Sequence, residues 1–389
     1  MYSKYEVDFM RYAASFPIKW KKAKDCFVWD NKGKKYLDFS CGIFVTNVGH
    51  SNDSIKEAIK NQVDSDLMFS FSFPTDIRKK FVDKFMSMVP SYLDKIALYA
   101  TGSGVTDRAI QIARKYTGKK YVASVHKSFH GNTAILQDIS KSHKYKVSFP
   151  LNKTEADFDE DIEHLEPEKI CAFILEGFQG WSAYFYPKDY IQKLSRWCKD
   201  NNIVLIFDEM QSGFKRTGPM FAFQYYGVEP DLVCFGKGAG GGLPLAGIIG
   251  TKEVMSCMDD EKFASTHSGN TLVMASGLAN IEEIEKIDSN NIQKLGDVMI
   301  DYLKDLRQYE MVQHVSGGGL ISAIHFTSKE FAKQVAERCL ERGLMIVNTG
   351  RNTLKIGPPL IISEKLLLQG LGVINDSIME VDEIERTRD

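Results

Sequence analysis

From about residue 50 onward, short apolar or β-branched runs alternate with stretches whose apolar residues recur every three or four positions, the pattern of parallel strands joined by crossover helices. Helices are expected at 51–66, where Ile55, Ala58, Ile59 and Val63 share a buried face, and at 76–88, where Phe81, Val82, Phe85 and Met88 do. Strands are expected at 96–99, 121–125, 171–175, 204–207, 232–235 and 246–249. Several are apolar throughout instead of alternating, as in a sheet covered by helices on both faces. The expected fold is therefore α/β, with a large, mostly parallel sheet inside an α/β/α sandwich.

The pattern shifts near residue 290, after a long helix at 271–286. A helix at 292–306, a glycine-interrupted strand pair around 317–326, a helix at 329–341, short strands at 345–347 and 353–356 and a last helix from Glu364 read as a smaller α+β unit. The chain is 389 residues long, and cores stop growing as single bodies beyond about 300 residues, so two domains are expected. No repeat and no low-complexity tract interrupts it.

Composition narrows the function. With 49 basic and 51 acidic side chains the net charge is −2, which argues against nucleic acid or an anionic membrane as the main partner. The basic cluster Lys19, Lys21, Lys22 and Lys24 encloses Trp20 and precedes Asp25 and Asp30, so it reads as a solvated segment. Seven cysteines without regular spacing fit a reducing compartment. The start has no leader-like pattern and no stretch reaches the roughly 18 apolar residues of a membrane span, so the expected location is the cytoplasm.

Three runs carry the chemistry. In Val204-Leu205-Ile206-Phe207-Asp208-Glu209 a buried strand delivers two carboxylates at its C-terminal end, where parallel sheets bind ligands; one of them should meet a cationic partner. In Phe235-Gly236-Lys237-Gly238 another strand ends in a lysine between glycines, and a lysine becomes nucleophilic where a dry or cationic setting lowers its pKa. A phosphate P-loop is excluded, because Lys237 is followed by Gly238 and not by Ser or Thr; an inert glycine turn with an exposed lysine stays open. In Ala100-Thr101-Gly102-Ser103-Gly104 a strand end leads through small residues into a helix start, where backbone N–H groups cradle phosphate. An acid, an amine and a phosphate loop together match what pyridoxal phosphate requires. His126 and His130 have helical metal-ligand spacing, but no third ligand is in register, and no metal is expected.

These runs resemble the class III aminotransferases among the fold-type I pyridoxal-phosphate enzymes, the group of the acetylornithine, ornithine and 4-aminobutyrate aminotransferases. The resemblance extends from Val28-Trp29-Asp30 and Asn47-Val48-Gly49-His50 to Lys355-Ile356-Gly357-Pro358-Pro359. It implies that Asp208 pairs with the pyridinium nitrogen, Gln211 bonds the ring hydroxyl and Lys237 forms the Schiff base. Phe129, in Ser128-Phe129-His130-Gly131, is implied to stack on the ring, and Gly102 and Ser103 to lie on the phosphate loop. Thr266, in Ser265-Thr266-His267, is implied to reach the phosphate of a neighbouring subunit, hence a homodimer with shared sites. The corresponding large domain is 46–285, and 1–45 with 286–389 form the small one.

Three positions depart from the family pattern. Gly104 stands where an acidic residue is usual. Trp181, in Glu176-Gly177-Phe178-Gln179-Gly180-Trp181, stands where members using ornithine or 4-aminobutyrate with 2-oxoglutarate carry a gating glutamate, and Lys355 stands where they carry its arginine partner. A lysine does not reproduce bidentate carboxylate recognition. Two accounts remain: the usual glutamate pair is replaced or held elsewhere, with Trp181 an apolar wall, or Lys355 suffices as a point cation. Phe44, Trp181 and Lys355 are the candidate substrate contacts. The expected activity is transamination between an amine or amino acid donor and a carbonyl acceptor, with an intramolecular aminomutase of the glutamate-semialdehyde type as the alternative and a non-catalytic binding protein as a third reading.

Overall fold

A computed structural model describes residues 18–70, 73–142, 144–147, 157–258, 263 and 265–387. The first 17 residues, counted above in the small domain, lie outside the described residues. The chain divides into two compact units, one of residues 53–180 and 184–290, the other of 1–52, 181–183 and 291–389.

The larger unit is built on a seven-stranded sheet in the order Lys95–Tyr99, Ala246–Gly250, Leu232–Phe235, Val204–Asp208, Ile170–Glu176, Tyr121–Val125, Lys146–Val147. Only Ala246–Gly250 runs against the others, pairing antiparallel on both sides. All seven residues of Ile170–Glu176 and all five of Val204–Asp208 are buried, which is why these runs read as apolar without alternation. Parallel register sets Glu176 opposite Asp208, so two carboxylates emerge side by side at one end of the sheet. The strand Lys146–Val147 is too short for any sequence pattern and was not expected.

The helix Gly102–Thr117 follows the first strand. Thr101 Oγ1 caps it by accepting from Gly104 N at 3.3 Å, and Gly118 closes it at φ 71°. The helix Asp76–Met86 buries Phe81 and Phe85. Phe85 stacks on Phe235 at 4.6 Å between centroids and meets Phe214 and Phe221 at 6.1 and 6.4 Å, all four fully buried. Rings at these spacings attract beyond the area they bury, so the strand end immediately before Gly236 and Lys237 is fixed in place. The helix Asp53–Asp64 carries the expected stripe, but only Ile55 is fully buried and Val63 is 42% exposed. The stripe runs on past the helix end into Leu67, Met68 and Phe69, which are exposed as well among the described residues.

The smaller unit holds two four-stranded sheets. In one, Trp20–Lys24, Phe27–Asp30 and Lys35–Asp38 form an antiparallel meander joined in parallel by Leu344–Met345. Asp30 Oδ1 accepts from the backbone N–H of Lys32 and Lys34, both at 2.9 Å, an Asx turn that reverses the chain. The other sheet runs Val312–Gly317, Ser322–Phe326, Thr353–Ile356, Val347–Asn348, all antiparallel. The segment 41–44 is a turn of left-handed helix, with φ of 50° at Cys41, 60° at Gly42 and Ile43 and 64° at Phe44. Left-handed helix costs L-residues roughly 1–2 kcal/mol each, and the side chains of Cys41 and Phe44 are buried against that cost. No helix of the described residues is long and apolar enough to cross a membrane.

Candidate active site

Six of the expected cofactor residues line one cavity of about 260 Å³ in the larger unit: Gly102, Ser103, Phe129, Asp208, Gln211 and Lys237. Thr266, the seventh, is exposed on the turn 265–270 and is not among its lining residues. His130, Glu176 and Met210 line the cavity too, and the sequence had given them no separate role.

Met210 spaces the three runs. Its Sδ would lie 2.9 Å from a Cβ on Gly102 and 2.7 Å from one on Gly236, so a side chain at either position would have to push the flexible end of Met210 aside. Ser103 Oγ accepts from Asn132 N at 3.2 Å, which ties the helix start to the loop carrying Phe129.

Asp208 is buried, and its partner is His130. The ring Nδ1 lies 2.8 Å from Asp208 Oδ2, while Oδ1 accepts from Met210 N at 3.1 Å. An ionised carboxylate only accepts, so the Nδ1 proton is donated to it. His130 Nε2, also buried, has no hydrogen-bond partner among the described residues. In place of the expected cationic partner, the carboxylate pair has an imidazole Nδ1, on Asp208. Glu209, fully buried, takes neutral donors: Ser212 Oγ on Oε2 and Phe223 N at 2.9 Å on Oε1. Burial pushes its carboxyl up to about 7. The loop from His126 to His130 is not helical and turns at Lys127 with φ 62°, so the two histidines do not share a helix face.

Lys237 opens a single turn, Lys237–Ala239, with φ 42°. A lysine held in this strained region is a feature of functional sites. What holds it is the long helix Thr271–Lys286: Asn280 Nδ2 donates to the carbonyls of Gly238 and Ala239 at 2.8 and 2.9 Å, and Ser276 Oγ to that of Gly240 at 2.8 Å. Burial lowers the amine's pKa below the usual lysine range, and the charges of Asp208 and Glu176 oppose that fall. The Phe129 ring is 54% exposed, leaving a face free for stacking, and its backbone N donates to Glu176 Oε2 at 3.3 Å.

The three candidate substrate residues belong to the smaller unit. Lys355 is buried on the strand Thr353–Ile356 with its Nζ 4.5 Å from the centre of the Phe44 ring. Trp181 stands edge-on to His325 at 6.1 Å, and the Arg351 guanidinium covers its ring at 4.6 Å. Behind it, Ser316 Oγ donates to the Ser182 carbonyl at 2.5 Å and lies 2.9 Å from His325 Nε2. Burial first, then the neighbouring His314, lowers the His325 pKa to about 4.

Helices over a mostly parallel sheet, with a lysine and two carboxylates at the strand ends, place the chain among the transaminase-like α/β folds. It belongs to the class III aminotransferases, whose family model matches residues 9–378, and it is accordingly a transaminase of a pyridoxal-phosphate-dependent family. It is 33% identical over 387 residues to the acetylornithine aminotransferase of Methanocaldococcus jannaschii, covering 94% of each chain. It is 30% identical to the leucine/methionine racemase of Thermococcus litoralis, covering 94% of this chain and 92% of that one. The crystal structure of acetylornithine aminotransferase from Elizabethkingia anophelis superposes with a TM-score of 0.83 at 27% identity, covering 96% and 97%.

Proposed function

We propose that the cavity binds pyridoxal phosphate, with Lys237 and Asp208 as catalytic residues, and that the protein transfers an amino group from an amine or amino acid donor to a carbonyl acceptor. The observation that carries this reading is the convergence of Lys237, Asp208, Phe129, Gln211, Gly102 and Ser103 on one cavity of about 260 Å³. The donor set fits the group. A 16-residue helix offers its N-terminal N–H groups and the Ser103 hydroxyl to a phosphate, an open aromatic face awaits a ring, and a buried carboxylate awaits a protonated ring nitrogen.

When bound, the cofactor supplies an aldehyde that takes up the amino group and a cationic ring that draws electrons from the carbon losing its proton. Asp208, held by His130, keeps the ring-nitrogen proton in place. Gln211 orients the ring hydroxyl, and Phe129 fixes the ring plane. The Lys237 amine would take the proton from the donor's amine-bearing carbon; its lowered pKa favours the neutral, basic form. Phe44, Trp181 and Lys355 are assigned to the substrate side chain. With Trp181 and Lys355 in place of a glutamate and an arginine, the reading favours a donor or acceptor other than the glutamate pair.

A homodimer is part of the proposal. Beside the turn bearing Thr266, Phe69 packs on His267 at 5.6 Å, and Thr271 Oγ1 donates to the Leu67 carbonyl at 2.7 Å. Val63, Met68 and Phe73 are exposed next to them in the chain, Phe73 at 75%. Exposed apolar strips of this kind mark protein interfaces, and a second copy covering this one would bring Thr266 into a shared site. All seven cysteines are free thiols, which supports the cytoplasm.

The test is Lys237→Ala. The variant should fold, bind the cofactor without a covalent link and lose turnover by at least about 10⁴-fold, in line with the loss of an acid–base group that is also the nucleophile. Wild-type turnover in the variant would overturn the assignment. Following both substrate chirality and carbonyl product separates transamination from the racemisation named for one relative: racemisation yields no carbonyl product.

A further inference from the structure

Glu176 emerges beside Asp208 at the end of the sheet, and its two carboxylate oxygens serve two different loops. Oε2 accepts from the backbone N of Phe129 at 3.3 Å, and Oε1 from that of Gly180 at 3.0 Å. Phe129 carries the exposed ring, and Gly180 immediately precedes Trp181. One buried carboxylate therefore anchors both the stacking loop and the root of the loop bearing the candidate substrate residue. A buried charge is retained only where it is compensated, and backbone N–H groups with two nearby lysines supply that compensation here.

The charged and titratable groups around it come from every neighbouring element. Lys237 lies on the turn after the strand Leu232–Phe235, and Asp208 with its His130 on the adjacent strand end. Lys146 lies on the edge strand with its Nζ donating to Ser124 Oγ at 2.6 Å, and the Tyr186 phenol is on the following loop. Glu176 acts on both lysines in the same sense, opposing the fall that burial imposes on each; Lys146 is pushed down to about 8.

We propose that Glu176 is a positioning residue that holds the loop carrying the Phe129 ring and supplies a second carboxylate charge to the cavity it lines together with Lys237. This rests on the assignment of Lys237 and Phe129 above. Glu176→Gln keeps the shape but removes the charge and one of the two acceptors, whereas Glu176→Asp keeps the charge and shortens the reach.

The experiment uses the full-length chain stripped of cofactor. Acylation of Lys237 by acetic anhydride is followed against pH by mass spectrometry of its peptide. In Glu176→Gln the midpoint should move down by about half to one pH unit, in keeping with the loss of one nearby opposite charge, while Glu176→Asp should keep the wild-type midpoint. In the reconstituted enzyme both variants should bind pyridoxal phosphate several-fold more weakly and lower kcat with little change in KM for the donor. An unchanged midpoint in Glu176→Gln, or an equal shift in Glu176→Asp, would overturn the proposal. The acylation arm contains no cofactor, so it fails or succeeds independently of the Lys237→Ala turnover test.

Discussion

Glu209 gives the sharpest quantitative prediction. Its carboxyl, ordinarily at 4.5, titrates at about 7 in the folded chain. Each tenfold difference corresponds to 1.36 kcal/mol, so charging it in place costs about 3 kcal/mol. The folded-state value is raised, hence the native chain binds the extra proton. The stability this provides is fully present below about pH 4.5 and is lost as pH rises through about 7. Replacing Glu209 by Gln removes the titration while keeping an acceptor for Phe223 N. Urea unfolding of both cofactor-free chains between pH 4.5 and pH 8 isolates the effect, because every other group titrates in both. The stability of wild type minus that of Glu209→Gln should fall by up to about 3 kcal/mol across this window. A difference that stays flat with pH would show that the Ser212 and Phe223 donors hold the carboxylate charged throughout, and the burial argument would be wrong.

Three further outcomes follow from the geometry. His130→Leu removes the donor on Asp208 Oδ2; a hydrogen bond to a charged group contributes about 1.5–3 kcal/mol, so the dissociation constant for pyridoxal phosphate, read by absorbance titration, should rise roughly 10- to 100-fold, and an unchanged value would remove His130 from the site. Trp181→Glu combined with Lys355→Arg should raise glutamate turnover relative to neutral amines, and no gain in that ratio would argue against a lost gate. Asp66, at φ 58° just beyond the helix Asp53–Asp64, puts an acidic residue where glycine is favoured; Asp66→Gly should raise the unfolding free energy by about 0.5–1 kcal/mol, and a fall in thermal midpoint would contradict that.

How much of this was legible beforehand follows the range of the interactions. The helices 271–286 and 329–341 and the strand 353–356 have the bounds that their own periodicity and caps dictate, because Asn270 and Ser328 cap locally. The three strands between Trp20 and Asp38 were unread, since lysines at 19, 21, 22, 24, 32, 34 and 35 hide the alternation, though the Asx turn at Asp30 was a usable signal. In the cavity, residue types that announce chemistry stood out: a lysine among glycines, an acid ending an apolar strand. His130, Glu176 and Asn280 did not, because their roles exist only once segments 42 to 78 residues apart meet. A carboxylate such as Glu176 that joins the backbones of two different loops has no sequence signature.

The reversed coil at 41–44 bears on how this enzyme can be altered. Three L-residues and the achiral Gly42 wind in the left-handed sense, so mirror-image amino acids would be at home there: a D-residue introduced at position 43 by semisynthesis meets the backbone angles it prefers. Mutant libraries over this stretch are best drawn from glycine and asparagine and varied as one block, since relaxing any single position invites its neighbours to unwind in the ordinary sense.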